Sequence, residues 1–304
     1  MRIIQLSDIH VWRYSYNPMR LFGKRAVGIA SLIAGRAASF RLERLQAVMD
    51  RVHGIGADHI LITGDLTTTA LTAEFRDAKK ALSILLADPT RVTVIPGNHD
   101  RYTSGSVRTR QFEVNFGAYA PSERFPWLRR IDDETSILGL DPTRSHLSAR
   151  GLLPADQFRM ARDLLAEPSL RSRRLIIACH YPVIAPPTYA EELFPKRMKN
   201  AEEVAGWLRG IGPHLFCCGH VHAAWAFQPA TIPNQLCLNS GAPLLRDSTG
   251  GRPPGFLEIE LDGPSVSVKH HAWVDTGKDT GWEVRPFYQA PNHFPAATSA
   301  SSLT

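Results

Sequence analysis

Residues 91–100 read RVTVIPGNHD: a β-branched run that stops at Pro96 and Gly97 and passes directly into amide, imidazole and carboxylate side chains. That is the pattern of a buried strand whose C-terminal end delivers functional groups into a loop. The pattern recurs in RIIQLSD (2–8), HILITGD (59–65), TSILGLD (135–141), RLIIACH (174–180) and HLFCCGH (214–220). Helical periodicity fills the gaps, with Leu42, Leu45, Val48, Met49 and Val52 on one face, Phe75, Ala78, Leu82 and Leu85 on another, and PADQFRMARDLLAE opening on a proline. After residue 222 closely spaced strands follow, in AAWAFQ, QLCLNSG, GFLEIEL and SVSVKHHAW. An α/β first part joined to a strand-rich second part predicts sheets packed face to face with helices outside.

The expected organisation is one domain over 1–275, with a basic helical insertion at about 12–40 and an Arg-, Pro- and aromatic-rich cap or wall at about 101–134, followed by a loose tail over 276–304. The opening strand leaves no room for a secretory signal, and the longest apolar run, Ala26 to Ala34, is too short for a membrane span. Cys179, Cys217, Cys218 and Cys237 sit in apolar runs without zinc-knuckle or disulfide spacing, which suits a reducing cytoplasm. The net charge is +6, and the segment from Val11 to Leu45 holds all of it, with Arg13, Arg20, Lys24, Arg25, Arg36, Arg41 and Arg44 against Glu43. An anionic partner is therefore expected there, a membrane surface rather than nucleic acid, since no base-stacking arrangement accompanies the charge.

The strand ends supply Asp8 and His10, Asp65, Asn98 and His99, His180, and His220 and His222. Oxygen and imidazole donors of this kind hold borderline divalent metals, and a shared carboxylate can bridge two of them. Alternation along an extended chain places Asp8 with His10, and His220 with His222, on common sides. Each piece alone reads as a solvated strand end, a turn or a capped loop; their joint occurrence in one order does not.

As a set, Asp8-Ile-His10, Gly64-Asp65, Gly97-Asn98-His99-Asp100, His180 and Gly219-His220-Val221-His222 resemble the signature of the calcineurin-like metallophosphoesterases, of the bacterial phosphodiesterase type. The resemblance implies a four-layer αββα sandwich of two mixed sheets and a binuclear centre of Mn, Fe or Zn. Asp8, His10 and His222 would hold one ion, Asn98, His180 and His220 the other, with Asp65 bridging. No ligand position is missing, which argues against a degenerate member kept as a scaffold. Such a pair of ions lowers the pKa of a bridging water and aligns hydroxide for attack on a phosphodiester. His99 and Asn98 are then the candidate catalytic residues, His99 to protonate the leaving oxygen or stabilise the transition state. Asp100 is expected to cap loop amides rather than orient His99, and Arg101, Tyr102 and His146, with Asp141, Arg144 and Tyr181 nearby, are candidates for the substrate rim. GNHD, where protein phosphatases read GNHE, favours a cyclic-nucleotide-type phosphodiesterase. KRAVG after DIH, with GNHDRY, is similar to UDP-2,3-diacylglucosamine hydrolases, pyrophosphatases acting at the membrane surface, and a nuclease is a third reading.

The stretch NPMRLFGKRAVGIASLIAGR (17–36) reads as an amphipathic helix with Phe22, Ala26, Ile29 and Ile33 on one face and Arg20, Lys24 and Ser31 on another. It is either packed on the sandwich with a solvated rim or a surface helix meeting anionic lipid or an acyl substrate. The expected location is cytoplasmic, peripheral at the inner membrane face. His53, His59, His214, His270, His271 and His293 are expected to be structural or surface residues.

Overall fold

The computed structural model describes residues 1–14, 28, 30, 39–146, 148–167, 170, 173–247, 251–275 and 280–295. The helix expected over 17–36 lies outside them, apart from Gly28 and Ala30.

The strands are β1 (Arg2–Leu6), β2 (His59–Ile62), β3 (Val92–Val94), β4 (Trp127–Arg130), β5 (Thr135–Leu140), β6 (Arg174–Cys179), β7 (His214–Cys218), β8 (Ala224–Phe227), β9 (Gln235–Ser240), β10 (Gly255–Asp262), β11 (Ser265–Asp275) and β12 (Thr280–Ala290). The helices are α1 (Leu45–Ile55), α2 (Thr72–Ala81), α3 (Ser104–Arg108), α4 (Gln111–Phe116), α5 (Ala155–Leu165), α6 (Pro187–Leu193) and α7 (Ala201–Arg209). One six-stranded sheet runs β12-β11-β10-β1-β2-β3 and the other β4-β5-β6-β7-β9-β8. In the first, β1, β2 and β3 are parallel while β10 to β12 are antiparallel; in the second, β5, β6, β7 and β9 are parallel, with antiparallel β4 and β8 at the edges.

Strand alternation explains why the apolar runs are continuous rather than interrupted by polar residues. In β6, Ile176 and Ala178 enter the layer between the sheets while Ile177 and Cys179 pack under the helices; Leu215 and Cys217 versus Phe216 and Cys218 do the same in β7. A strand covered on both faces has no polar side to show. Val48, Met49, Phe75 and Ala78 of α1 and α2 cover the first sheet, and Phe158, Ala161, Val204 and Leu208 of α5 and α7 cover the second. The result is the four-layer αββα sandwich expected from the sequence.

Two segments differ from expectation. The tail expected from residue 276 contains β12, which pairs with β11 from Val266↔Ala290 to Asp275↔Thr280 and forms the edge of the first sheet. Its sequence hides it: Pro286 faces Lys269 where the register shifts, and an edge strand tolerates the missing N–H. The stretch 101–134 is no irregular wall either. Phe112 and Phe116 of α4 pack with Phe75 in the core, and Trp127 begins β4.

Candidate metal centre

Every predicted donor lies just past the C-terminal end of a parallel strand: Asp8 and His10 after β1, Asp65 after β2, Asn98 and His99 after β3, His180 after β6, His220 and His222 after β7. Strand alternation is not what gathers them. Asp8, His10, Asp65, His220 and His222 all have left-handed backbone, with φ of 52°, 52°, 55°, 75° and 59°. Each therefore turns the chain where a strand would have continued, at a conformational cost of roughly 1–3 kcal/mol per residue, a cost that persists at sites where surrounding structure enforces it.

What enforces it is contact between neighbouring strand ends. The amide of Asp8 donates to the Gly64 carbonyl (3.0 Å), that of His10 to the Asp65 carbonyl (2.9 Å) and that of Gly219 to the His180 carbonyl (3.0 Å). The His220 amide donates to both Asp8 carboxylate oxygens (3.2 and 3.0 Å). A Cβ on Gly219 would lie 2.0 Å from the Ser7 hydroxyl oxygen, and one on Gly97 2.1 Å from Asp65 Oδ1, so only glycine admits these approaches. Asp100 ties the second and third strand ends together: its carboxylate accepts from the amides of Leu66 (3.3 Å), Thr67 (2.9 Å) and Gly97 (2.9 Å) and from the Thr67 hydroxyl (3.0 Å). Burial, then the nearby Asp65 charge, pushes it up to about 7 against those donors.

Two groups of donor atoms, each mutually within 4.8 Å, share Asp65: Asp8, His10, Asp65 and His222, and Asp65, His180 and His220. In the first, His10 Nε2 and His222 Nε2 are 3.0 Å apart, with Asp8 Oδ1 3.4 Å from His222. In the second, Asn98 Oδ1 lies 2.8 Å from His220 Nδ1 and 3.2 Å from His180 Nε2, and Asp65 Oδ2 lies 3.3 Å from His180 Nε2.

The rings are oriented for ligation. His180 donates Nδ1–H to the Thr63 carbonyl (2.7 Å), so its Nε2 meets only oxygens. Burial would push His180 down, but Asp65 and then Asp8 carry it up to about 9. Asp65 itself is held well below the ordinary carboxylate range: burial opposes ionisation and the neighbouring His180, His99 and His10 overcome it. An ionised Asp65 gathered among imidazoles and an amide oxygen is an O/N donor set of the mixture that suits borderline divalent metals.

His99 stands beside these groups. Its amide donates to Asp65 Oδ1 (2.7 Å), its Nδ1–H donates to the Thr68 carbonyl (2.6 Å), and its ring sits edge-on to His10 at 4.9 Å. The bond to Thr68 fixes Nδ1 as the protonated nitrogen of a neutral ring.

A model of the calcineurin-like phosphoesterases matches residues 1–224. The chain belongs to this family. This calcineurin-like phosphoesterase is a hydrolase of phosphoester bonds. No curated protein matches it. Among solved structures it is similar to a dimetal phosphatase from Danio rerio, at 13% identity and TM-score 0.59 over 94% of this chain and 99% of that one. It is also similar to a purple acid phosphatase from yellow lupin seeds, at 13% identity and TM-score 0.60 over 94% and 53%. These likenesses concern the fold.

The rim candidates of this phosphoesterase are placed differently from the donors. Arg101 is turned inward, paired with Glu113 (2.5 Å) and Asp141 (3.2 Å) and 11% exposed, so its charge is already neutralised by the scaffold. Tyr102 is buried and stacks on His99 at 5.3 Å and 12°. His146 is exposed, accepts the Ser148 amide at Nδ1 (3.2 Å), and makes no ring contact with the donors among the described residues. Tyr181 is a buried wall, 4.4 Å from the His220 ring, its hydroxyl donating to the Ala149 carbonyl (2.8 Å).

Phe40 escaped the sequence reading. Its ring lies 4.6 Å from His10 and 5.6 Å from His222, and nothing but the end of the basic segment marks it in the sequence. The Lys196 carbonyl, 3.2 Å from His220 Nε2, was equally unmarked. No described helix is long and apolar enough to cross a membrane.

Proposed function

We propose that this centre binds two metal ions and hydrolyses phosphodiesters. Asp8, His10 and His222 hold one ion, Asn98, His180 and His220 the other, and Asp65 both; the observation that carries this is the membership of Asp65 in both donor groups. Such ions supply an acidified water and neutralise phosphate oxygens. The chain's own residues do the rest. Asp8 fixes the His220 amide, Thr63 fixes the His180 tautomer, and the Asn98 amide oxygen completes the second group. His99, held at Nδ1 by Thr68, carries a proton on Nε2 to the leaving oxygen. The GNHD motif supports a diester of cyclic-nucleotide type.

One observation favours a lipid-linked pyrophosphate as second reading: the basic segment leaves the centre just after His10 and returns to it at Phe40. Of its seven basic residues, Arg13 pairs with Asp77, Arg41 with Glu43 (3.5 Å), and Arg44 is buried, donating to the Leu245 carbonyl (3.2 Å). Arg20, Lys24, Arg25 and Arg36 lie outside the described residues, and in this reading they are the ones that meet an anionic membrane.

Purified protein with Mn²⁺ is assayed on bis-p-nitrophenyl phosphate, cyclic nucleotides, nucleotide-sugar lipids in anionic vesicles, glycerophosphodiesters and nucleic acids. Hydrolysis of a diester, lost in His99→Ala and Asp65→Ala, supports the proposal, and an inert metal-loaded enzyme refutes it. Preference for the vesicle-borne pyrophosphate, reduced by neutralising the four basic residues, would select the second reading. Salt-sensitive cleavage of nucleic acid would select a nuclease.

A further inference from the structure

The His99 imidazole is held by Thr68 and Tyr102, and behind these supports stands a residue of the basic segment. The Thr68 carbonyl accepts from Nδ1, and the Tyr102 ring lies nearly parallel to the imidazole at 5.3 Å and 12°. Behind both stands Gly28, buried and helical. A methyl at its Cα would lie 3.0 Å from the Tyr102 hydroxyl oxygen, 3.1 Å from Tyr102 Cε1 and 3.0 Å from Cγ2 of Thr69, the residue next to Thr68.

The same backbone position therefore bears on both supports of His99. Glycine is not needed there for conformation, because its φ is not left-handed and alanine is the better helix former. What glycine provides is space against Tyr102 and Thr69. Thr69 is itself immobilised, its amide donating to Glu74 Oε2 (2.8 Å) and its hydroxyl to Glu74 Oε1 (3.1 Å). A side chain at residue 28 consequently displaces Tyr102 rather than the loop.

We infer that Gly28 and Tyr102 are positioning residues that set the imidazole of His99 for proton delivery to the leaving group, through the contact of Gly28 with the Tyr102 ring that stacks on it. This rests on His99 acting as the acid. Both residues act on His99 through the Tyr102 ring, so their replacement is expected to leave metal content and substrate affinity unchanged. The dependence of rate on the leaving group should change: an acid matters most when the departing oxygen is a poor leaving group.

The test compares bis-p-nitrophenyl phosphate with diphenyl phosphate for wild type, His99→Ala, Tyr102→Leu, Tyr102→Phe, Gly28→Ala and the Gly28→Ala/Tyr102→Phe double variant, with metal per chain measured on each. Tyr102→Leu and Gly28→Ala should lose roughly tenfold or more in kcat on diphenyl phosphate and much less on bis-p-nitrophenyl phosphate, at unchanged KM and metal content. Tyr102→Phe, which keeps the ring, should show much less leaving-group selectivity in its loss than Tyr102→Leu, and adding it to Gly28→Ala should restore part of that selective loss by removing the oxygen the methyl meets. Equal losses on both substrates, or loss of metal, in Tyr102→Leu and Gly28→Ala overturn the inference while leaving a leaving-group-selective His99→Ala intact. A His99→Ala variant without leaving-group selectivity overturns the acid assignment, and this inference with it.

Discussion

The Nδ1 of His220 lies 2.8 Å from the Oδ1 of Asn98 while its Nε2 lies 3.2 Å from the carbonyl oxygen of Lys196, so a neutral ring offers one proton to two acceptors. Double protonation is not a remedy, because burial, and next the neighbouring His180, push His220 well below the ordinary imidazole range. With Nε2–H donated to Lys196, Nδ1 and Oδ1 face each other as two lone pairs, an arrangement that a cation between them stabilises. Replacing Asn98 by Ala should remove the ion from this half of the centre and lower kcat by more than about 100-fold, beyond the usual effect of groups that merely orient ligands. Elemental analysis of the purified variant checks it: the count should fall from two ions to one.

Glu192 links α6 to the same ring without touching it. One of its oxygens accepts from Lys196 Nζ (2.8 Å) and the other from Arg252, whose Nη1 donates to the Val221 carbonyl (3.4 Å). The loop carrying His220 and His222 is thus gripped on both sides through one carboxylate. In Glu192→Ala, competition with a chromogenic chelator should show metal held roughly 10- to 100-fold more weakly, with the thermal transition little changed.

Asp100 serves the scaffold. Four donors converge on a carboxylate that is 1% exposed. Removing it leaves buried amides of two strand ends without an acceptor, so Asp100→Ala should cost about 2–4 kcal/mol in urea unfolding. A loss of activity without loss of stability would instead place Asp100 in the chemistry.

Much of this was legible in the sequence because two-sided burial writes itself as uninterrupted apolar runs, and because donors at the ends of parallel strands follow those runs directly. The joint pattern of Asp8, His10, Asp65, Asn98, His180, His220 and His222 needed no knowledge of the loops. The manner of gathering was not legible: sequence alternation does not announce that five of these residues adopt left-handed backbone. Long-range contacts such as Phe40 on His10, or Arg101 turned to Glu113 and Asp141, leave no local trace. β12 stayed hidden because an edge strand, mostly solvated and broken by Pro286, carries neither alternation nor an apolar run.

His59, read as structural, supplies a pH dependence distant from the metals. It lies at the start of β2, 2% exposed, with Nε2 2.8 Å from the Thr93 hydroxyl; burial, then Arg129 and Arg91, lower it from 6.5 to about 3. The folded ring stays neutral while the unfolded ring takes a proton below pH 6.5, so its contribution is complete above that pH and is lost as pH falls toward about 3. The slope is at most about 1.4 kcal/mol per pH unit. Urea unfolding of His59→Gln should lose less stability than wild type over this window; an equal or steeper loss would contradict the assignment.

The most direct measurement is the number of metal ions per chain in wild type and in Asp65→Ala, taken by elemental analysis after exposure to Mn²⁺ and removal of excess. Asp65 belongs to both donor groups, so wild type should hold two ions and the variant neither tightly. A wild type that retains one ion, or an Asp65→Ala protein that retains two, would contradict a binuclear centre built around this carboxylate.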